Sequence, residues 1–464
     1  VGILSALFDN KTYNFEQAFG VNDITSKRMK AAINDWYGLY YRQDADKEED
    51  PCQRIPVAIV SKLTKTAFSE YSATTAKDSG NEYVEQILAA LDSARKKAVQ
   101  QALIGGLCFL KPIFSTPLHF TVISRNNMLI LARDDTGVVT SVGTAERTVE
   151  GKDYYTLLER RTVDQYGRLT IQSKLYRSRE AGILGVEVPL NTLNKYADLS
   201  PELLLPGVGS LGLIPVRTPL ENCVDGSQDA VSVFAPAVGL IRNINRNEAQ
   251  INQEFENGKS RIIASADMLA KNQATGRREL KDDLFVGVDD DPEAVGITIF
   301  SPAFREQSFL ARKTEYLRNV ESLIGLKRGI LSEVEAAERT ATEVTSSAGD
   351  YNLSIIEFQE MWETAVREAV RVCEALGRLY KVYSGPAIDP EKDVVIDWGN
   401  GILFDEDKTW ADYMAMVAAG MIRPEIALAW KFNLPWETPK DLAKIREKYM
   451  PELQSMTDGE DGEE

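Results

Sequence analysis

The chain holds a single histidine, His119, a run of three aspartates, Asp289-Asp290-Asp291, and four cysteines, Cys52, Cys108, Cys223 and Cys373. A Ser-His-Asp or Cys-His relay needs an imidazole beside its nucleophile, and poly-histidine metal sites need several, so one histidine leaves little room for either. His119 follows Pro117-Leu118 and opens a β-rich run, which reads as a turn or sheet position. Three aspartates before Pro292 could grip a divalent ion as nucleases do. Such a centre lacks a second carboxylate or histidine cluster here, and a solvated turn is the favoured reading. The cysteines lie far apart with no C-x-x-C, so neither a disulfide framework nor a zinc site is expected; they read as free core thiols in a reducing cytoplasm. No G-x-x-x-x-G-K-[ST] occurs, which excludes a P-loop motor. Gly105-Gly106 reads as a loop or a close-packing point. Nothing in these residue types argues for catalysis, and neither a cofactor nor a metal is expected.

The elements that would position any site are legible from periodicity. "SKRMKAAINDWYGLYYR" (Ser26–Arg42) spaces Met29, Ile33, Trp36, Tyr37 and Tyr40 by threes and fours, one apolar stripe of a helix. "VAIVSKLTKTAFSEY" and "EYVEQILAALDSARKKAVQQAL" continue as amphipathic helices. From Phe109 to about Leu190 the period becomes that of strands, with hairpin turns at Asp135-Thr-Gly and Tyr166-Gly, so an antiparallel sheet packed beside helices is expected.

Val231–Gly258 then keeps only a thin seam, Val231, Phe234, Val238, Ile241, Ile244, Ile251 and Phe255, in a field of Asn, Gln, Arg and Glu. So narrow a stripe implies an exposed strut or packing against other copies of the chain. Phe304–Leu326 is similarly half polar, and between the two lies an insert, Lys259–Ala303, with β-like pieces "RIIAS", "DLFVGV" and "ITIF". The topology is helix out, small knob, helix back. From Ile355 to Leu379 a regular three-four spacing marks one long helix with a packing seam. Thr340-Ala-Thr-Glu343 is a capping box that starts it. Gly349-Asp350 is expected to kink it, with Asp350 capping a restart. After "VVIDWGNGILFDE", a strand and turn, Asp405, Pro424 and Thr438-Pro439 open three short helices, and the tail "TDGEDGEE" is acidic.

At 464 residues the chain has room for roughly three domain-sized units. Lys and Arg total 53 against 70 Asp and Glu, a net charge of −17, which argues against a broad phosphate-binding face. The opening "VGILSALFDN" carries no basic leader, and no apolar run approaches the roughly 20 residues a bilayer span needs, so a soluble, unsecreted protein with no membrane partner is expected. The chain opens on Val1 and not Met, which leaves open whether residues before it were removed.

The aromatic helix "INDWYGLYY", the sheet stretch "DYYTLLERR", "IPVRTPLEN" before the first strut, "GLKRGILSEVEAAERTATEV", and "VIDWGNGILFDEDKTWADYMAMVAAGMIRPEIAL" follow one another in this order. Together they resemble the portal proteins of long-tailed double-stranded DNA bacteriophages, over nearly the whole chain; the most specific pieces are [K/R]-T-A-T-E-V, here Arg339–Val344, and the acidic-turn helix ending "AAGMIRPE". The resemblance implies an α+β, mainly helical ring subunit: wing (helices plus antiparallel sheet) in 1–230, helical stem in 231–258 and 304–326, small α/β clip in 259–303, tunnel loop and long wing helix in 327–404, and helical crown with acidic tail in 405–464. It implies a dodecameric ring at one capsid vertex, assembled in the host cytoplasm, whose channel passes double-stranded DNA in packaging and ejection. The implied partners are the packaging ATPase, the major capsid and scaffolding proteins, and a head-completion adaptor.

By the same resemblance Phe234, Val238, Ile241, Ile251 and Phe255 form the stem seam, and Lys259, Arg261, Arg277 and Arg278 meet partners at the clip. With Arg242 and Arg246, these cations form adhesive rings or face the capsid and motor. Gly329–Ala341 matches the tunnel loop, where Glu333, Glu335 and Glu338 would make an acidic, low-adhesion constriction. Arg328 and Arg339 offset or pair with those acids, and Thr340, Thr342 and Glu343 mark where the loop ends. Residue types alone leave two other classes open, a metal-dependent DNA-processing enzyme built on Asp289–Asp291 and a non-catalytic scaffold or adaptor protein.

Overall fold

The computed structural model describes residues 15–41, 51–76, 81–257, 261–264, 269–271, 278–280, 297–300, 305–332, 341–399, 406–432, 434–436 and 438–450. It is a mixed α+β fold of helices and antiparallel sheets. The chain divides into two compact units, Val1–Ser69 with Ala73–Ile396, and Glu70–Ser72 with Asp397–Glu464.

The first unit opens with three helices, α1 (Lys27–Tyr41), α2 (Ile55–Ala67) and α3 (Glu82–Gly105). Their stripes are buried as the spacing predicts: Met29, Ile33, Trp36 and Tyr37 on α1, Ile59, Val60 and Leu63 on α2, Val84, Ile87 and Leu91 on α3. Asn81 caps α3 by accepting from the Tyr83 amide at 3.1 Å. A short strand that periodicity missed, β1 (Ser72–Thr75), precedes α3.

Strands β2 (Leu107–Ile113), β3 (His119–Ser124), β4 (Met128–Arg133), β5 (Val139–Glu150), β6 (Asp153–Val163), β7 (Leu169–Ser178), β8 (Val186–Val188), β9 (Glu202–Leu205) and β10 (Ile214–Arg217) follow. They form a six-stranded antiparallel sheet in the order β4-β5-β6-β7-β8, with β9 also on β7, and a three-stranded sheet β10-β2-β3. Alternation sorts β4 onto two cores. Met128 and Ile130 pack with Leu107, Phe109 and Leu213, whereas Leu129 and Leu131 pack with Phe15, Leu158 and Tyr176 on the other face. A strand covered on both faces reads as the unbroken apolar run MLIL. Gly106, between α3 and β2, has φ +82° and a Cβ there would lie 2.4 Å from the Ala230 carbonyl oxygen, so the expected close-packing point is real.

Two buried charge groups pin these layers. Glu159 on β6 meets Lys111 at 2.7 Å and Arg161 at 2.7 Å. Burial pushes its carboxyl up, but the Arg161 and Lys111 cations outweigh that and hold it at about 2. Arg125, buried after β3, donates to the Thr25 hydroxyl at 3.0 Å and lies 3.5 Å from Asp229, which also pairs with Arg133 at 2.8 Å. His119 lies at the open end of β3, exposed, with Nδ1 2.9 Å from the Ser115 hydroxyl. Cys108 and Cys373 are the buried thiols expected; Cys52 is half-buried and Cys223 is exposed, which corrects the expectation that all four sit in the core.

Helices α4 (Val238–Asn257) and α5 (Glu306–Leu323) bracket an insert in which two antiparallel pairs are described, β11 (Arg261–Ala264) with β14 (Ile297–Phe300) and β12 (Leu269–Lys271) with β13 (Arg278–Leu280). The strands at "RIIAS" and "ITIF" match expectation, "DLFVGV" lies outside the described residues, and β12 and β13 carried no strand signal. Helix α6 (Ala341–Leu379) runs unbroken through Gly349 and Asp350, so no restart occurs there. Its expected seam is part of a wider buried arc: beside Ile355, Phe358, Trp362, Ala365, Ala369, Val372 and Leu376, the residues Met361, Val366, Val370 and Cys373 are buried too. That arc makes α6 a core helix of this chain. A four-residue helix α7 (Pro390–Asp393) leads to β15 (Val394–Asp397), the partner of β1.

The second unit carries α8 (Glu406–Ala418), α9 (Pro424–Lys431) and α10 (Pro439–Tyr449). Gly420 follows α8 at φ +70°, Pro424 opens α9, and the Thr438 hydroxyl caps α10 by accepting from the Asp441 amide at 3.3 Å. Arg446 on α10 grips the buried Glu425 of α9, its Nε at 2.7 Å.

Candidate functional site

Helices α4 and α5 pack against each other antiparallel. Arg305 donates twice to Glu254 at 3.0 and 2.9 Å near one end, and midway along the pair Lys313 meets Glu248 at 2.8 Å and Asn247 donates to the Phe309 carbonyl at 3.2 Å. The bidentate hydrogen bond from Arg305 holds the Glu254 carboxyl below the usual carboxylate range. Asn245, also buried, accepts from the Gln53 amide at 3.0 Å, which ties the root of α4 to the segment before α2.

The thin apolar stripe of α4 divides in two. Phe234 precedes the helix and is buried in a stretch held by Ser232 and Val233, which donate to the Leu103 carbonyl at 3.0 and 2.9 Å. Ile241 and Ile244 are buried within the same chain, and Val238 is half-buried. This corrects the expectation that the stripe has no place in one chain's core: its first half is covered by α1, α5 and the residues before α2. Farther along, Ile251 is half-buried and Phe255 is 49 % exposed. Arg242 pairs with Asp35 of α1, and Arg246 donates to the Asn243 side chain at 3.4 Å.

Beyond α5 one carboxylate organises the chain. Glu321, 0 % exposed, accepts from the amides of Gly329 at 3.2 Å, Leu331 at 2.5 Å and Ser332 at 2.9 Å, and from the Ser332 hydroxyl at 2.7 Å. Four donors closing on one carboxylate fold residues 324–332 back onto the last turn of α5. Gly325 permits the reversal: its φ is +68°, and a Cβ would sit 2.4 Å from the Ser354 hydroxyl oxygen on α6. Arg328 is exposed on this turn. Sequence reading missed Glu321 because a lone Glu in a charged helix carries no local mark; the paired turn glycines Gly325 and Gly329, four residues apart, were the available signal.

Glu333, Glu335, Glu338, Arg339 and Thr340 lie outside the described residues, as do Lys259, Arg277 and the run Asp289–Asp291. Thr342 and Glu343 fall in the first turn of α6, which begins at Ala341 directly after Thr340, where the capping box puts the start. Arg261 stands opposite Phe300 in the β11–β14 pair and Arg278 opposite Lys271 in β12–β13. Among the described residues no group of His, Cys, Asp and Glu converges as a metal site would require, and no helix is long and apolar enough to cross a membrane. The geometry is that of a mechanical part: two helices laced by ion pairs, a reversal pinned by a carboxylate, and a 39-residue core helix behind it.

No curated protein matches the chain. The family model described as phage portal protein, SPP1 Gp6-like, matches residues 36–450.

Proposed function

The chain belongs to the phage portal proteins, SPP1 Gp6-like, and on that premise we propose how its parts divide the work. Portal proteins of this family are structural and non-enzymatic: they form the DNA channel at a capsid vertex of a bacteriophage, take part in DNA packaging and connect head to tail. The family implies an oligomeric ring with DNA, capsid and terminase partners.

In our reading the ring holds twelve copies. Residues 231–258 and 304–326 are its stem, 259–303 its clip, 1–230 and 327–404 its wing with the tunnel loop, and 405–464 its crown. The clip, with Lys259, Arg261, Arg277 and Arg278, docks the packaging ATPase first and a head-completion protein later. Assembly on the scaffolded capsid takes place in the host cytoplasm. The observation that supports this division is the antiparallel α4–α5 pair, which encloses the insert and passes through the Glu321-held reversal straight to the segment before α6.

That segment carries Glu333, Glu335 and Glu338. Repeated around a ring, three glutamates per chain become belts of like charge that centre a duplex and keep it from adhering. Exchanging all three for Lys turns the belts adhesive. Rings should persist, and single-particle packaging should slow most at low salt. Wild-type rates at every salt concentration would show that these glutamates do not meet the DNA.

A further inference from the structure

A groove of about 1260 Å³ opens in the first unit between the sheet and α6. Its floor is apolar, with Leu107, Phe109 and Leu213, and Val138 at its lip is 61 % exposed. The wall contributed by α6 presents Glu357, Glu360, Met361 and Glu368. The other charges along it are engaged. Asp134 and Asp164 cap their own hairpin turns, Arg133 pairs with Asp229, and Arg217 donates to the Gln228 carbonyl. Glu368 lies 3.5 Å from Arg371. The exposed carboxylates of Glu357 and Glu360 pair with no described residue, so the groove has an apolar floor and an uncompensated acidic wall.

A complementary surface lies across the same helix. Gln359 donates to the Ala67 carbonyl at 3.1 Å, and Trp362 meets Phe68 edge-on, so this side of α6 faces α2 and its end. At about 100° per residue, Glu357, Glu360 and Met361 point to roughly the opposite side. On α2 and α3 the buried stripes turn inward, and Lys62, Lys65, Lys96 and Lys97 are exposed outward, none paired with a described residue. One face of the unit is thus a groove with free carboxylates, and the far face is a helical ridge with four free ammonium groups.

We propose that the groove of one copy receives the lysine-bearing α2–α3 ridge of the next copy, as the head-to-tail contact that closes the ring. An unlike pair of surfaces on opposite sides of one subunit is what a heterologous contact requires; a two-fold contact would need one self-complementary patch. Lysine suits the groove because its four-carbon stem lies along an apolar floor while its head reaches the carboxylates at the wall. Charge opposition selects the register of the contact. The proposal rests on the ring reading and adds the surfaces that close it.

The test is a pair of charge reversals in the full chain. E357K/E360K makes the groove repel the ridge, and K62E/K65E/K96E/K97E makes the ridge repel the groove. Each alone should lower the fraction assembled in native mass spectrometry by about tenfold or more, since every contact in the ring carries the repulsion. Circular dichroism melts should stay near wild type. Mixed in equal amounts, the two variants should regain rings, with the two chains alternating. Wild-type assembly by either variant overturns the groove–ridge contact and leaves the ring reading intact, as does failure of the mixture to recover when both chains are folded. A wild-type chain that stays monomeric at every concentration overturns the ring reading itself.

Discussion

Glu321 and Glu159 are both buried carboxylates, and they stabilise different things. Glu321 serves backbone donors. A glutamine at 321 can still offer one oxygen to the three amides that meet Oε1 and set its NH2 against the Ser332 hydroxyl at Oε2, but it removes the negative charge and so weakens hydrogen bonds to a charged group that are each worth about 1.5–3 kcal/mol. Glu321→Gln should therefore leave rings intact and raise hydrogen exchange at the amides of Gly329, Leu331 and Ser332. Unchanged protection at those three amides would remove Glu321 from its role as the pin of the reversal. Glu159 serves two cations, and its contribution depends on pH. Its carboxyl is held at about 2 against an ordinary 4.5. A group lowered in this way stabilises the fold fully above 4.5, and that contribution is lost as pH falls from there through 2. Glu159→Gln should cost about 3 kcal/mol at pH 7, because the half-buried Lys111 and the buried Arg161 are left without their counter-charge. The gap between the two melting curves should narrow steadily below pH 4.5; a gap of constant size from pH 7 to pH 3 would mean the charge is not what Glu159 contributes.

At the scale of elements, α4 changes character along its length. Its root is ordinary core, so an aspartate at Ile241 reports on folding of the chain and says nothing of contacts between copies. Past Asn247 the apolar residues are Ile251, half-buried, and Phe255, exposed. If copies of α4 and α5 line a stem, these two positions lie where neighbouring chains meet. Ile251→Asp with Phe255→Asp should leave the melting temperature of the isolated chain within a few degrees while native mass spectra lose rings, a desolvated charge costing several kcal/mol per contact. Intact rings would confine the seam to other residues. The same scale explains α6. Seven of its apolar positions fit a heptad, yet four more are buried beside them, because sheet, α2 and α3 surround it on more than one side. Periodicity records that a residue is apolar and not how many neighbours will converge on it.

Across the whole molecule, the acidic balance of −17 fits a protein that lets DNA pass and does not grip it. The proposed belt of Glu333, Glu335 and Glu338 would exist only when copies repeat around an axis, which is why its test is a packaging rate against salt and not a property of the single chain. Some of this was fixed by the linear sequence: the helices α1, α2, α3 and α6, the hairpins at Gly137 and Gly167, the capped start at Pro439, and the order of stretches that marks the portal family. These signals are local, since a stripe repeats within a few turns and a cap or turn involves four or five neighbouring residues. Tertiary structure alone decided the rest. Phe234 became core because its stretch is tied to the Leu103 carbonyl, and Ile241 because the root of α4 folds into the same chain; Glu321 became a pin because a chain reversal brought four donors to it; Glu357 and Glu360 line a groove because the fold sets α6 beside the sheet. In each case the deciding partner is distant in sequence, or reaches the residue only after the chain has turned, and no spacing rule along the chain encodes which surfaces will meet.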